Sequence, residues 1–283
     1  MKSLLRLCLG SIQFRLHSRG WLDSTPIVST ILPILSDWAF MDLTNNHSEN
    51  LAPFALEAVL FDVGGTLMEP WPSIGHVYAE VAEGSGWKTL DIDRLNHQFE
   101  GAWKAKADFH YSPEQWQNIV IESFEGMVSR EACIELFPKL YRRFEDPDVW
   151  RIFDDVMPAL DDLASRGFRL GIVSNWDNRL KPLLRRLKLD GFFDFVCVSC
   201  DIGFTKPSPV IFEHTIGKFG LPPERMLHVG DQADEDLKGA RNAGLHSLLL
   251  DRNAQCGTEV IDRLTELSPR ITEAWIWLFW ELS

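Results

Sequence analysis

Short, almost continuously apolar runs alternate with longer stretches of helical spacing along most of this chain. Ala58-Val59-Leu60-Phe61, Leu170-Gly171-Ile172-Val173, Phe195-Val196-Cys197-Val198 and Met226-Leu227-His228-Val229 lead the series, and it closes at His246 to Leu250. Runs of this length and character are those of strands buried on both faces, so strands are predicted over 58–62, 169–174, 195–199, 226–230 and 246–250. Helical patterns separate the later four; Pro158 to Arg166, for example, has helical spacing and is stopped by Gly167 before the next apolar run begins. Strand and helix in alternation predict an α/β fold with a doubly wound parallel sheet. From about Pro70 to Val149 no strand is predicted. There the apolar residues recur only at helical spacing, as in Ile74, Val77, Tyr78, Val81 and in Leu95, Phe99, Ala102, Trp103, so an all-helical insertion is expected between the first and second strands.

The strand ends carry the polar residues that matter. The first runs out into Asp62-Val63-Gly64-Gly65-Thr66, the second into Ser174-Asn175, and the fourth into Gly230-Asp231; Lys206-Pro207 lies in a loop between them. In open α/β sheets ligands collect at the carboxyl ends of the strands, so two carboxylates are expected to meet there. Each piece alone has a plainer explanation: Ser174-Asn175 as a helix cap, Lys206-Pro207 as a surface turn, Asp62 with its glycines as an ordinary turn. Their order and their placement at strand ends favour a common site.

An Asp, a Ser, a Lys and a Gly-Asp in this order resemble the four signature segments of the haloacid dehalogenase-like hydrolase superfamily, over about residues 57 to 252. Asp236-Leu237-Lys238-Gly239-Ala240-Arg241-Asn242-Ala243-Gly244 resembles the family's closing helix, and the helical insertion its C1-type cap. Gly203-Phe204-Thr205-Lys206-Pro207 is most similar to the group called haloacid dehalogenase-like hydrolase domain-containing protein three. The resemblance implies a Rossmann-like core and a phosphatase of small-molecule phosphomonoesters working through an aspartyl phosphate on Asp62. It implies Mg²⁺ held by Asp62, the Gly64 carbonyl and Asp231, with Asp236 and the neighbouring Glu235 orienting waters of the metal shell. Metal is expected on chemical grounds as well, since a carboxylate attacks an anionic ester only when charge repulsion is removed. By the same resemblance Ser174 and the Asn175 amide bind a phosphate oxygen, Lys206 pairs with the nucleophile or the phosphoryl group, and Thr66 anchors the loop by hydrogen bonding near Asp62.

One position departs from the pattern. Family phosphatases carry a second Asp two residues after the nucleophile, as general acid and base; here Gly64 stands there. The loss of such a group costs about 10²- to 10⁴-fold. The departure leaves open a slow phosphatase, one restricted to good leaving groups, one with an acid from elsewhere, or a catalytically retired relative. His76 and His110 are weak substitutes that read first as surface histidines of the cap. Competing readings are a 2-haloacid dehalogenase, a phosphonoacetaldehyde-type hydrolase with Lys104 or Lys106 as Schiff-base lysine, and a non-catalytic binding protein. Trp71, Trp103, Tyr111 and Trp116 are candidates to line a substrate cavity or to be core.

Size and composition narrow the rest. With 283 residues and 45% hydrophobic content the chain is long enough for a full α/β core and a second small module. The expected division is 53–69 and 150–270 for the core, 70–149 for the cap, with extensions at 1–52 and 271–283. A formal net charge of -13 argues against nucleic acid or anionic lipid as a general partner. Cys8, Cys133, Cys197, Cys200 and Cys256 form no disulfide framework, and a reducing, cytoplasmic compartment is the expectation. Cys197 and Cys200 read as core of an apolar strand, since no second such pair completes a zinc site. Lys2, Arg6, Arg15 and Arg19 precede the first acid, Asp23, a composition compatible with a transit peptide, a disordered extension or an upstream start codon. The apolar run from Ala274 to Trp280 is too short to span a bilayer; it is expected to be a terminal helix docked on the core, or a partner or membrane-surface contact.

Overall fold

A computed structural model of the chain describes residues 56–106, 109–254 and 257–272; the basic N-terminal segment and the Trp-rich run after Ala274 lie outside the described residues. Six parallel strands form the central sheet: β1 (Ala58–Phe61), β4 (Arg169–Ser174), β5 (Phe195–Val198), β6 (Met226–Gly230), β7 (His246–Leu250) and β8 (Val260–Ile261). Their spatial order is β5-β4-β1-β6-β7-β8, so the first strand lies in the middle, flanked by β4 and β6. Two short strands, β2 (Met68–Pro70) and β3 (Trp150–Ile152), pair antiparallel outside this sheet and join the ends of the helical insertion. The sequence pattern misses them, because three residues including Pro70 carry no readable period.

Alternation along the strands decides which layer each side chain enters. Val59 and Phe61 of β1, Leu170 and Ile172 of β4, and Leu227 and Val229 of β6 share one cluster with Leu160 and Leu163 of α5 (Val156–Ser165) and Leu183 and Leu184 of α6 (Leu180–Arg186). Ala58, Leu60, Val173 and Met226 point the other way, onto Ile211, Phe212 and Phe219 of α8 (Pro209–Phe219); α7 (Ser199–Ile202) precedes that helix. Both faces are therefore dry, which is why these strands read as apolar runs rather than as alternating ones. The strand ends, where polar groups begin, point out of both layers together.

Between β2 and β3 lie only helices: α1 (Ile74–Glu83), α2 (Ile92–Ala105), α3 (Pro113–Ser123) and α4 (Arg130–Arg143). Each begins at a Ser or Asp whose side chain accepts from the backbone N–H three residues on, Ser73, Asp91, Ser112 and Ser129 in turn. Loss of such a cap costs about 1 kcal/mol. The insertion has its own apolar core, in which Tyr78 stacks on Phe124 beside Leu95, Leu136 and Leu140. No helix among the described residues is long and apolar enough to cross a membrane. Cys197 is buried as expected, whereas Cys200 is exposed on α7, because the strand stops at Val198.

Candidate active site

Asp62 follows β1 directly, and its N–H continues the ladder to the Val229 carbonyl at 2.9 Å. The carboxylate thus stands at the mouth of the two central strands. Its Oδ1 accepts from Ser174 Oγ at 2.9 Å and from Lys206 Nζ at 2.7 Å. Lys206 is buried and also donates to Asp236 Oδ1, which in turn meets His228 Nε2 at 2.9 Å, while Asp236 Oδ2 accepts from the Gln232 N–H at 3.0 Å. The segment after β6 is wound as a π-helix over Ala233–Lys238 before it continues as α9 (Gly239–Asn242), and this wider turn carries Asp236 back under the sheet end.

Two glycines make these approaches possible. A Cβ on Gly65 would lie 2.5 Å from Asp231 Oδ2, and Gly65 holds φ +76, so the turn after Asp62 needs glycine both for its conformation and for the closeness of Asp231. A Cβ on Gly230 would collide with the Asp236 carboxyl carbon at 2.2 Å. Gly64 differs. Its φ is not in the left-handed region, and a Cβ there would rest 3.4 Å from Trp176 Cζ3, an ordinary contact.

Charge is unbalanced in this cluster. Ligand atoms of Asp62, Asp231 and Asp236 all lie within 4.8 Å of one another, and when ionised these three carboxylates exceed the single Lys206 charge by two. Burial pushes the Asp231 carboxyl up to about 7, with the Asp62 charge adding to the rise. Asp62 is raised too, by burial first, although Lys206 works against the shift. Burial also acts to raise Asp236, yet Lys206 and His228 together hold it well below the usual carboxylate range. Lys206 stays protonated in spite of its burial, through Asp236 and Asp62. Asp231 gives one oxygen to Gln232 Nε2 at 2.6 Å, while its buried Oδ1 has no partner among the described residues. An orphaned carboxylate oxygen beside surplus negative charge fits a divalent cation with oxygen ligands.

The other predicted residues take distinct places. The side-chain amide of Asn175 is occupied: Oδ1 accepts from the Lys206 N–H at 2.7 Å, and Nδ2 donates to the Lys206 carbonyl at 3.0 Å and to Glu235 Oε2 at 2.8 Å. It clamps the lysine loop. The hydroxyl of Thr66 does not supply the anchoring expected of it: it is buried without a partner among the described residues, and the loop is held through backbone instead. Val63 O accepts from the N–H groups of Leu67 and Met68, and Arg252 reaches the Thr66 carbonyl at 2.9 Å. His76 is engaged with Ser73 Oγ at the start of α1, and neither it nor the exposed His110 lines the cavity that Asp62 enters. Lys104 pairs with Glu100 in solvent.

That cavity, of about 360 Å³, extends from Asp62, Gly64 and Asp231 to the helical insertion, with Trp103, Lys106, Tyr111 and Trp116 in its wall; Trp71 lies exposed elsewhere. A buried pair braces the two parts: Asp177 and Arg179, after β4, hold Trp116 Nε1 at 3.1 Å and the Tyr141 carbonyl at 2.7 Å respectively. Sequence reasoning missed this brace, and it missed His228. The only trace of His228 was a polar residue facing inward in an otherwise apolar strand.

A family model described as a haloacid dehalogenase-like hydrolase matches residues 56–244. The Bos taurus haloacid dehalogenase-like hydrolase domain-containing protein 3 is 31% identical over 206 residues, covering 69% of this chain and 82% of that one. Glyceraldehyde 3-phosphate phosphatase of Methanothermobacter thermautotrophicus is 39% identical over 107 residues, 36% of this chain and 45% of its own. Among solved structures, a HAD phosphatase from Thermococcus onnurineus superposes with a TM-score of 0.54 at 26% identity, over 76% of this chain and 97% of that one.

Proposed function

The chain belongs to the haloacid dehalogenase-like hydrolases, and on that premise we propose that it is a Mg²⁺-dependent phosphomonoesterase of small molecules that works through an aspartyl phosphate on Asp62. The observation that carries this reading is the trio Asp62, Asp231 and Asp236 around Lys206, with the unpartnered Asp231 oxygen facing its surplus charge. Phosphatase relatives in sequence and structure support it.

Mg²⁺ held by Asp62, Asp231 and the Gly64 carbonyl would supply neutralisation of the phosphoryl oxygens. Asp236 stands one step back, since both of its oxygens already serve Lys206, His228 and the Gln232 N–H. Ser174 and Lys206 fix Oδ1 of Asp62, which leaves Oδ2 to attack phosphorus. The bond from phosphorus to the ester oxygen breaks, and that oxygen leaves with the electron pair. Water then attacks the phosphorus of the acyl phosphate, releasing inorganic phosphate and the Asp62 carboxylate. Lys206 keeps its positive charge through both steps and lies against the developing negative charge, so most of the catalysis is positioning and charge compensation.

Phosphate release from a panel of phosphomonoesters, with Mg²⁺ and with EDTA, tests the proposal. Turnover that needs Mg²⁺ and vanishes in Asp62→Asn is expected. EDTA-insensitive halide release from a 2-haloacid, or phosphate release that survives Asp62→Asn, would overturn it.

A further inference from the structure

Two observations on different residues select the same kind of substrate. The first is the wall of the cavity beyond Asp62. Phe99, Trp103, Tyr111, Trp116, Trp150 and Trp176 line it, and the space of about 360 Å³ lies within the range of sites for small organic ligands. Protein interiors do not leave a space of that size unfilled for packing reasons. Trp103 and Tyr111 belong to none of the three apolar cores and pack instead on each other and on Trp116, forming one aromatic wall. Away from the carboxylates the wall is mostly aromatic, with the Tyr78 and Tyr111 hydroxyls and Lys106 as its main polar groups. Arg179 is already consumed by Asp177 and the Tyr141 carbonyl, and the Lys106 ammonium lies 3.8 Å over the Trp103 ring. A polyol would find few polar partners for the aromatic surface it covers, whereas a flat ring packs against that surface.

The second observation is Gly64. No side chain there protonates the departing oxygen, and the ring of Trp176 reaches to 3.4 Å of where its Cβ would be. With no acid at this position, leaving groups that depart readily as anions are favoured. Phenolates do so readily; alkoxides do not.

We infer, resting on the phosphatase reading above, that the substrate is the phosphate ester of a flat aromatic hydroxyl compound, whose ring enters the chamber of Trp103, Tyr111 and Trp116 while its phosphoryl group meets Asp62. Ring and leaving group act on different constants: the ring lowers KM, and the acidity of the hydroxyl raises kcat.

The test separates them with four esters in Mg²⁺: 1-naphthyl phosphate has both features, acetyl phosphate only the good leaving group, 2-phenylethyl phosphate only the ring, and glycerol 3-phosphate neither. We expect kcat/KM for naphthyl phosphate to exceed that for glycerol 3-phosphate by about 10³-fold or more, with low KM for both ring esters. With the unaltered protein, naphthylmethylphosphonate should inhibit at least about tenfold better than methylphosphonate, and Trp103→Ala should narrow that gap. The phosphonate pair decides the matter if that variant does not fold. Glycerol 3-phosphate turned over as well as naphthyl phosphate, or phosphonates of equal strength, would overturn the aromatic substrate while the phosphatase reading stands. Release from none of the four would overturn both.

Discussion

Replacing Gly64 by Asp should convert the site toward esters with poor leaving groups. The backbone permits the change: φ at Gly64 is not left-handed, and the added Cβ meets only Trp176 Cζ3 at 3.4 Å, so the cost in stability should stay within about 1 kcal/mol. The new carboxyl would join Asp62 and Asp231 in a cluster that already carries surplus negative charge. Like charges raise its pKa, which keeps it a proton donor nearer neutral pH. A well-placed general acid is worth about 10²- to 10⁴-fold, and because Trp176 must tilt to admit the carboxyl, roughly 10- to 10³-fold is expected on alkyl phosphates. Aryl phosphates should gain little, since a phenolate needs no proton. The assay is kcat/KM against leaving-group pKa for both proteins: steep dependence before the change and shallow dependence after it. Parallel lines from a folded, Mg²⁺-binding variant would refute the reasoning, because the missing acid would then not limit the reaction.

Further expectations concern the charges around it. Asp231→Asn should raise the Mg²⁺ concentration needed for half-maximal activity by about tenfold or more, read from a metal titration. Asp231 titrates near 7 when folded, above its unfolded value, so its contribution to stability is full below about pH 4 and is withdrawn as the pH rises toward 7, by up to a few kcal/mol. Mg²⁺ takes the deprotonated form, and its stabilising shift in melting temperature should be larger at about pH 8 than at about pH 5.5; an equal shift at both would contradict the assignment. His228→Phe keeps the packing on Phe212 but removes one of the partners of Asp236. It should lower kcat several-fold more than it raises KM and destabilise the fold by about 1–3 kcal/mol, as measured by kinetics and denaturant melts.

Much of this site was legible in the sequence because its parts sit where strands end. Asp62, Ser174 and Asp231 each follow an apolar run, and a parallel sheet aligns such ends without help from long-range detail. The five strands read from their apolar character all form, since residues dry on both faces leave a continuous signal. What escaped depends on three-dimensional neighbours. The pair β2 and β3 is too short to show a period, and the β8 strand is a two-residue edge. The Asn175 amide carries nothing in sequence to say that it faces the Lys206 backbone rather than a phosphate. Nor does the chain order tell that Asp177 and Arg179 reach across to Trp116 and Tyr141. Of the two glycines after Val63 it is Gly65 that takes the left-handed turn, and Gly64 is thereby free to be replaced.

The central claim is that phosphorus passes through Asp62. Quenching a reaction with an aryl phosphate in acid and reducing it with borohydride would convert an acyl phosphate at that residue to homoserine, detectable by mass in the peptide that carries it. The account predicts this product at Asp62 when Mg²⁺ is present, its absence with EDTA, and its absence in Asp62→Asn, whose melting temperature should remain within a few degrees of the parent. Phosphate release at full rate with Asp62 unmodified, or with Asn in its place, would contradict it.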